Sequence, residues 1–100
     1  MSIQYQATVT AAAATALIYT GPGLLFGLQL GTDSTNDPTI TVYDNITNSG
    51  TELLPTTIFE ADYQGLNGFC CSYGKKFIIG LYIEITCAGS VAVALDWRAL

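Results

Sequence analysis

Along most of this chain apolar and polar residues alternate with a period of two, and turn-forming clusters break the alternation at spacings of roughly ten residues. Successive side chains of a strand point to opposite faces, so the pattern predicts strands with one buried face. A helix would scatter the same residues around its circumference. Ile3, Tyr5, Ala7 and Val9 alternate with Gln4, Gln6, Thr8 and Thr10. The following Ala11–Ala16 run has good helix propensity, but it is short and flanked by threonines, which favours a loop or a strand continuing through Leu17-Ile18-Tyr19. Gly21-Pro22-Gly23 predicts a turn, since glycine tolerates positive φ and proline fixes its own.

In the next strand Leu24, Phe26, Leu28 and Leu30 share one face, and Leu25, Gly27, Gln29 and Gly31 the other. Thr32–Pro38 reads as a polar loop, Thr39–Asp44 as a strand with Ile40 and Val42 inward, and Asn45–Gly50 as a turn. Glu52–Phe59 resumes a strand in which Pro55 removes an amide donor, which predicts an edge or a bulge. Glu60–Gly68 is the longest loop, followed by a short Phe69–Tyr73 strand and a Gly74-Lys75 turn. Phe77, Ile79, Leu81, Ile83 and Ile85 then fall on one face, and Val91, Val93, Leu95 and Trp97 on another. Pairing Ile85 with Val91 across Cys87–Ser90 keeps both apolar faces on one side, which predicts a hairpin. Together these elements predict an all-β chain of seven to eight strands, an antiparallel two-sheet sandwich of jelly-roll or immunoglobulin-like kind. Residues 1–100 form one domain, with 1–16 a candidate extended N-terminal arm.

Composition changes the picture in one respect. Hydrophobic residues make up 50% of the chain and charged residues only 11%, against about 25% charged in an average domain. A small domain has much surface for its volume, so part of this surface is expected to be covered by another chain. Lys75, Lys76 and Arg98 are the only cations, and the net charge is −5. That excludes phosphate neutralisation on nucleic acid and attraction to anionic membranes. No apolar run is long enough to span a bilayer, and Met1–Gln6 lacks the marks of a signal peptide. A soluble chain assembled in a cytoplasm is expected.

The residues that usually carry chemistry are sparse. The chain has no histidine, which removes the Ser-His-Asp and Cys-His arrangements and histidine-ligated zinc. Cys70, Cys71 and Cys87 lack metal or redox spacing and read as reduced, mostly buried residues. The alternatives are a bridge from Cys70 or Cys71 to Cys87 and a reactive thiol beside Lys75 and Lys76. Glu60, Asp62 and Glu84 could in principle serve as paired carboxylates, but read more simply as solubilising charges. Asp33-x-Thr35-x-Asp37 with Asp44 half-matches a calcium loop, yet Pro38 stands where the loop needs glycine. Asn45-Ile46-Thr47 fits a glycosylation sequon but reads as a turn. No catalytic residue, cofactor or metal is expected. The candidate partner-binding residues are Ile3 and Tyr5, on a strand free of charges that could add to a partner's sheet edge, and Trp97 and Leu100 near the apolar C-terminus.

A Leu17–Tyr19 strand, a Gly-Pro-Gly turn and an apolar Leu24–Leu30 strand precede Thr-Asp-Ser-Thr-Asn-Asp. Ile40-Thr41-Val42-Tyr43-Asp44-Asn45, a Ser49-Gly50 turn, Gly80-Leu81-Tyr82-Ile83-Glu84-Ile85-Thr86 and a valine-rich end follow. This order resembles the small all-β virion proteins of tailed bacteriophages, among them head decoration (cement) proteins and related fibre or tail components. Ala11–Ala16 and the vicinal cysteines are not part of the resemblance. It implies a non-enzymatic decoration subunit, forming homo-oligomers such as trimers, that stabilises a virion head by bridging copies of the major capsid protein. The alternatives are a low-copy tail, neck or fibre component, and a small carbohydrate-binding module using Tyr43, Tyr63, Tyr73 or Tyr82 as stacking platforms.

Overall fold

The computed structural model describes residues 5–62 and 68–100, with side chains described for all of these except 5–14, 69–73 and 90. The chain is all-β. Its strands are β1 (Tyr5–Thr20), β2 (Gly23–Thr32), β3 (Thr39–Asp44), β4 (Thr51–Ile58), β5 (Gly68–Phe77) and β6 (Gly80–Ala99). Every pairing is antiparallel. The strand continues through the alanine run without a break. Thr39–Asp44 is a strand with Ile40 and Val42 fully buried, as its alternation predicts. Pro55 lies on an edge strand and at a register irregularity, so both consequences of its missing amide are realised.

The predicted C-terminal hairpin does not form. β6 is one strand of 20 residues, and Ile83 and Val93 do not pair with each other. Ile83 lies between Ala16 of β1 and Val42 of β3, whereas Val93 lies between Val9 of β1 and Leu30 of β2. β1 follows β6 along one side, stepping from Ala11 opposite Val91 to Ala13 opposite Thr86. On the other side β2 ends opposite Val91 and β3 begins opposite Thr86. Residues 87–90 therefore form a corner without ladder partners. The sheet folds there into two layers, one ordered β4-β3-β6-β1 and the other β5-β2-β6-β1. Counting β6 as two segments gives seven strands in two antiparallel sheets.

The two layers close on a common core. Leu81, Ile83 and Ile85 from one half of β6 and Val91, Val93, Leu95 and Trp97 from the other all point into it, with Leu25, Leu28, Ile40, Val42 and Phe77. Far from the corner, Tyr19 of one layer packs against Trp97 of the other at 4.9 Å between ring centres, the rings tilted by 40°, and meets Phe77 edge-on at 6.4 Å. Lys75 Nζ donates across the layers to the Leu53 carbonyl at 2.7 Å.

Two face assignments change. In β2 the buried residues are Leu25 and Leu28, not the even set Leu24, Phe26, Leu28 and Leu30. Phe26 is skipped in both of β2's ladders, and one extra residue in a strand inverts every side chain beyond it. The turn expected at Gly74-Lys75 lies instead at Ile78-Ile79. β5 runs on to Phe77 opposite Gly23, and Ile79, expected inside, is exposed.

Candidate functional site

The corner end of the sandwich is polar and held together by its own side chains. Asp33 accepts the amides of Thr35 and Asn36 at 2.9 and 2.8 Å and the Asn36 side-chain amide at 2.8 Å. These bonds, the Asn36 amide foremost, hold its carboxyl down at about 2. The loop lies directly over Gly89, where a Cβ would collide with the Asp33 carboxylate and the Asn36 amide, so the β6 corner needs a residue without a side chain. Asp37 accepts the Ala61 amide at 2.8 Å, and the Thr32 hydroxyl donates to the Ala61 carbonyl. Cys87, a free buried thiol, donates to the Asn36 carbonyl at 3.5 Å.

The opposite end is apolar. Two short connections cross between the layers there, Gly21-Pro22 and Ile78-Ile79, joined by the Gly21 amide donating to the Ile79 carbonyl at 2.8 Å. The Leu100 amide donates to the Pro22 carbonyl at 3.1 Å. Ile46, in the β3–β4 turn, sits against Gly80. Ile46, Ile78, Ile79 and Leu100, at 47, 65, 51 and 60% exposure, are thus gathered at one end. They supply four of the six large apolar residues exposed among the described side chains.

Asp44 shapes this end. Its Oδ1 accepts the amides of Ile78, Ile79 and Gly80 at 3.0, 2.8 and 3.3 Å, and its Oδ2 accepts the Ile78 amide at 3.1 Å. Charge-assisted bonds of this kind fix a backbone that ladder pairing leaves open, and they present the two isoleucines outward on a rigid turn. All three cations also lie toward this end on the second layer. Leu24 is opposite Lys76 on one side and Arg98 on the other, and Leu25 is opposite Lys75. The Arg98 guanidinium rests 5.7 Å from the Phe26 ring centre.

Of the expected partner-binding residues, Leu100 is displayed at the apolar end, and Trp97 is packed inside with 8% exposure. Ile3 and the Tyr5 side chain lie outside the described residues. The half-calcium-loop residues do not converge: Asp33 and Asp37 precede β3 at the corner end, Asp44 closes β3 at the other, and all three accept backbone amides. Of the tyrosines proposed as stacking platforms, Tyr43 and Tyr82 meet edge-to-face at 6.5 Å on the outer face of the first layer. The side chains of Tyr63 and Tyr73 lie outside the described set. Beside the pair, Asn48 donates to Glu84 at 3.0 Å. Partial removal from water, then the Glu84 and Glu52 carboxylates, push the Tyr43 phenol above its ordinary value. Comparison of the chain with protein-family models, curated proteins and solved structures found no match.

Proposed function

We propose that this protein is a non-enzymatic structural subunit of a tailed-phage particle, a head decoration protein that docks through its apolar end onto copies of the shell protein. The observation that carries the reading is the cluster of Ile46, Ile78, Ile79 and Leu100 at one end of the sandwich. Large exposed apolar residues scattered singly are ordinary, but a contiguous group marks an interaction surface. The Asp44 bonds hold this group in place before binding, which lowers the ordering cost of docking. Lys76 and Arg98 nearby suit a partner surface that is apolar with an acidic rim.

The test is quantitative mass spectrometry of purified particles, scaling this chain against the major shell protein. Hundreds of copies are expected. A handful would move the protein to the tail, neck or fibre, and absence from the particle would overturn the virion reading. Ile78→Asp with Ile79→Asp is expected to abolish loading while the chain stays folded, because both side chains are already in water. A second reading, as a carbohydrate-binding module, draws on the Tyr43–Tyr82 pair with Glu84 and Asn48 beside it. Saturable glycan binding lost in Tyr82→Ala would favour it.

A further inference from the structure

The sandwich leaves three strands at its edges, and they are not equivalent. β4 is interrupted by Pro55 and by two register irregularities. β5 departs from β2 between Cys70 and Lys75, opposite a single bulged residue, and carries Lys75 and Lys76. Breaks, prolines and lysines are the devices that stop a sheet edge from recruiting another strand. β1 has neither proline nor lysine, and its ladder with β6 is broken only by single-residue irregularities at Ala12 and Ile18. It runs for 16 residues without a charge, a glycine or a proline, and among the described residues it pairs only with β6. It is an edge of both layers at once, because it follows β6 through the corner.

We propose that β1 pairs with β1 of a second copy of this chain, antiparallel about a two-fold axis through the corner. About the point between Ala11 and Ala12 the strand matches itself at three pairs of positions, Ala7 with Ala16, Thr8 with Thr15 and Ala11 with Ala12. In this register Ala7 lies opposite Ala16 of the second copy, Thr8 opposite Thr15, and Val9 opposite Ala14.

The register also keeps positions with like β6 partners together. Positions 7, 9 and 11 stand opposite Leu95, Val93 and Val91, and positions 14 and 16 opposite Ile85 and Ile83. All five of those β6 residues are buried. Between Tyr5 and Leu17 the β1 positions paired with buried β6 residues are therefore odd before the irregularity at Ala12 and even after it. An unbroken strand would set odd against even here, and so place positions paired with buried β6 residues opposite positions paired with the more exposed ones. The irregularity makes the symmetric register consistent on both sides of the axis. Each layer of one copy then extends into the opposite layer of the other. The acidic loop carrying Asp33 and Asp37 lies across β6 from this edge, on the β2–β3 side, so the two copies, each of net charge −5, meet where neither strand bears charge. The pairing uses the edge and leaves the apolar end open, so it does not depend on what that end binds.

Sedimentation and light scattering of the full chain test it. The wild type is expected to run at twice its 10.6 kDa mass. Thr8→Lys with Thr15→Lys sets two like-charge pairs directly across the interface and is expected to give a monomer with an unchanged far-ultraviolet spectrum. Thr8→Lys with Thr15→Glu converts both into opposite-charge pairs and is expected to restore the dimer. A wild type that stays monomeric, a double-lysine variant that stays dimeric, or a Lys/Glu variant as dissociated as the double lysine would each overturn the proposal. Hydrogen exchange needs no variant: β1 amides directed away from β6 are expected to slow as wild-type concentration rises, and exchange independent of concentration would refute the pairing.

Discussion

Removing the Asp44 carboxylate tests how the apolar end is built. Three amides converge on it, with the closest contacts at 2.8 and 3.0 Å from Ile79 and Ile78. A hydrogen bond to a charged group contributes about 1.5–3 kcal/mol when water is excluded. Ile78 and Ile79 are exposed, so water replaces part of what is lost, and about 1 kcal/mol for each is appropriate. Gly80 is buried and its contact is long, 3.3 Å, but its donor is left poorly solvated, which costs about 1 kcal/mol more. Asp44→Ala should therefore destabilise the fold by about 3 kcal/mol and lower the melting temperature by roughly 12–24 °C for a domain of this size. Asp44→Asn keeps one acceptor oxygen and loses the charge, so about 1 kcal/mol is expected. Urea unfolding followed by the fluorescence of Trp97, the sole tryptophan, measures both. A loss below about 0.5 kcal/mol for Asp44→Ala, the level of an ordinary surface change, would refute the claim that this carboxylate holds the turn.

Two further expectations concern the corner and the layer closure. The Asp33 carboxyl is held at about 2, below its ordinary 3.8, so its contribution is complete above the ordinary value and is lost as pH falls through about 2. The stability difference between wild type and Asp33→Asn should shrink across that acid window, and thermal melts showing a constant difference there would contradict it. Gly23→Ala would set a Cβ into the Phe77 ring and 2.6 Å from the Arg98 carbonyl, costing about 2 kcal/mol or more. Gly31→Ala, with nothing within 4 Å of its Cβ, is the control, and equal effects in denaturant melts would argue against the close approach.

What the alternation could and could not reveal follows from its arithmetic. It reveals Ile40 and Val42 of β3 as core, but Thr41 between them, outward by alternation, is buried too, its hydroxyl meeting that of Thr56 on β4 at 2.8 Å. It is blind to the difference between a hairpin and a bent strand at 87–90. In both, the residues from Leu81 to Ile85 and from Val91 to Trp97 end on one side, and only the partners differ, β3 and β2 in place of each other. The bulge at Phe26 is similarly silent: an apolar residue stands on each side of it, so either parity offers a hydrophobic face. Ile78 and Ile79 read as strand because both are β-branched. The residue that makes them a turn, Asp44, is distant in sequence and stands in the alternation as the last residue of a strand. At the apolar end, Leu100 was legible as an apolar chain terminus. Ile46, Ile78 and Ile79 join it only through the two crossings between layers, which no local pattern records.

The scarcity of charge becomes a statement about position once the fold is known. Asp33, Asp37, Glu60 and Asp62 are half of the eight acids and belong to the loops at the corner end, while the cations lie toward the other end. The far end thus sets its exposed apolar residues beside the cations, and the β1 edge carries no charge at all. These two are geometrically related. The proposed axis passes through the corner along the length of the sandwich, perpendicular to the sheet where it folds. Rotation about that axis leaves the corner-to-end direction unchanged. A pair of copies joined at β1 would therefore carry both apolar ends on one side and both acidic corners on the other. Two weak apolar contacts presented side by side act through effective concentration, and the second docks at far lower cost than the first. An end of a few exposed residues, too small to hold a partner alone, becomes adequate when doubled. Ile78→Asp with Ile79→Asp should then abolish docking without changing the mass of the pair. Thr8→Lys with Thr15→Lys should weaken docking as well, although it alters no residue of the apolar end.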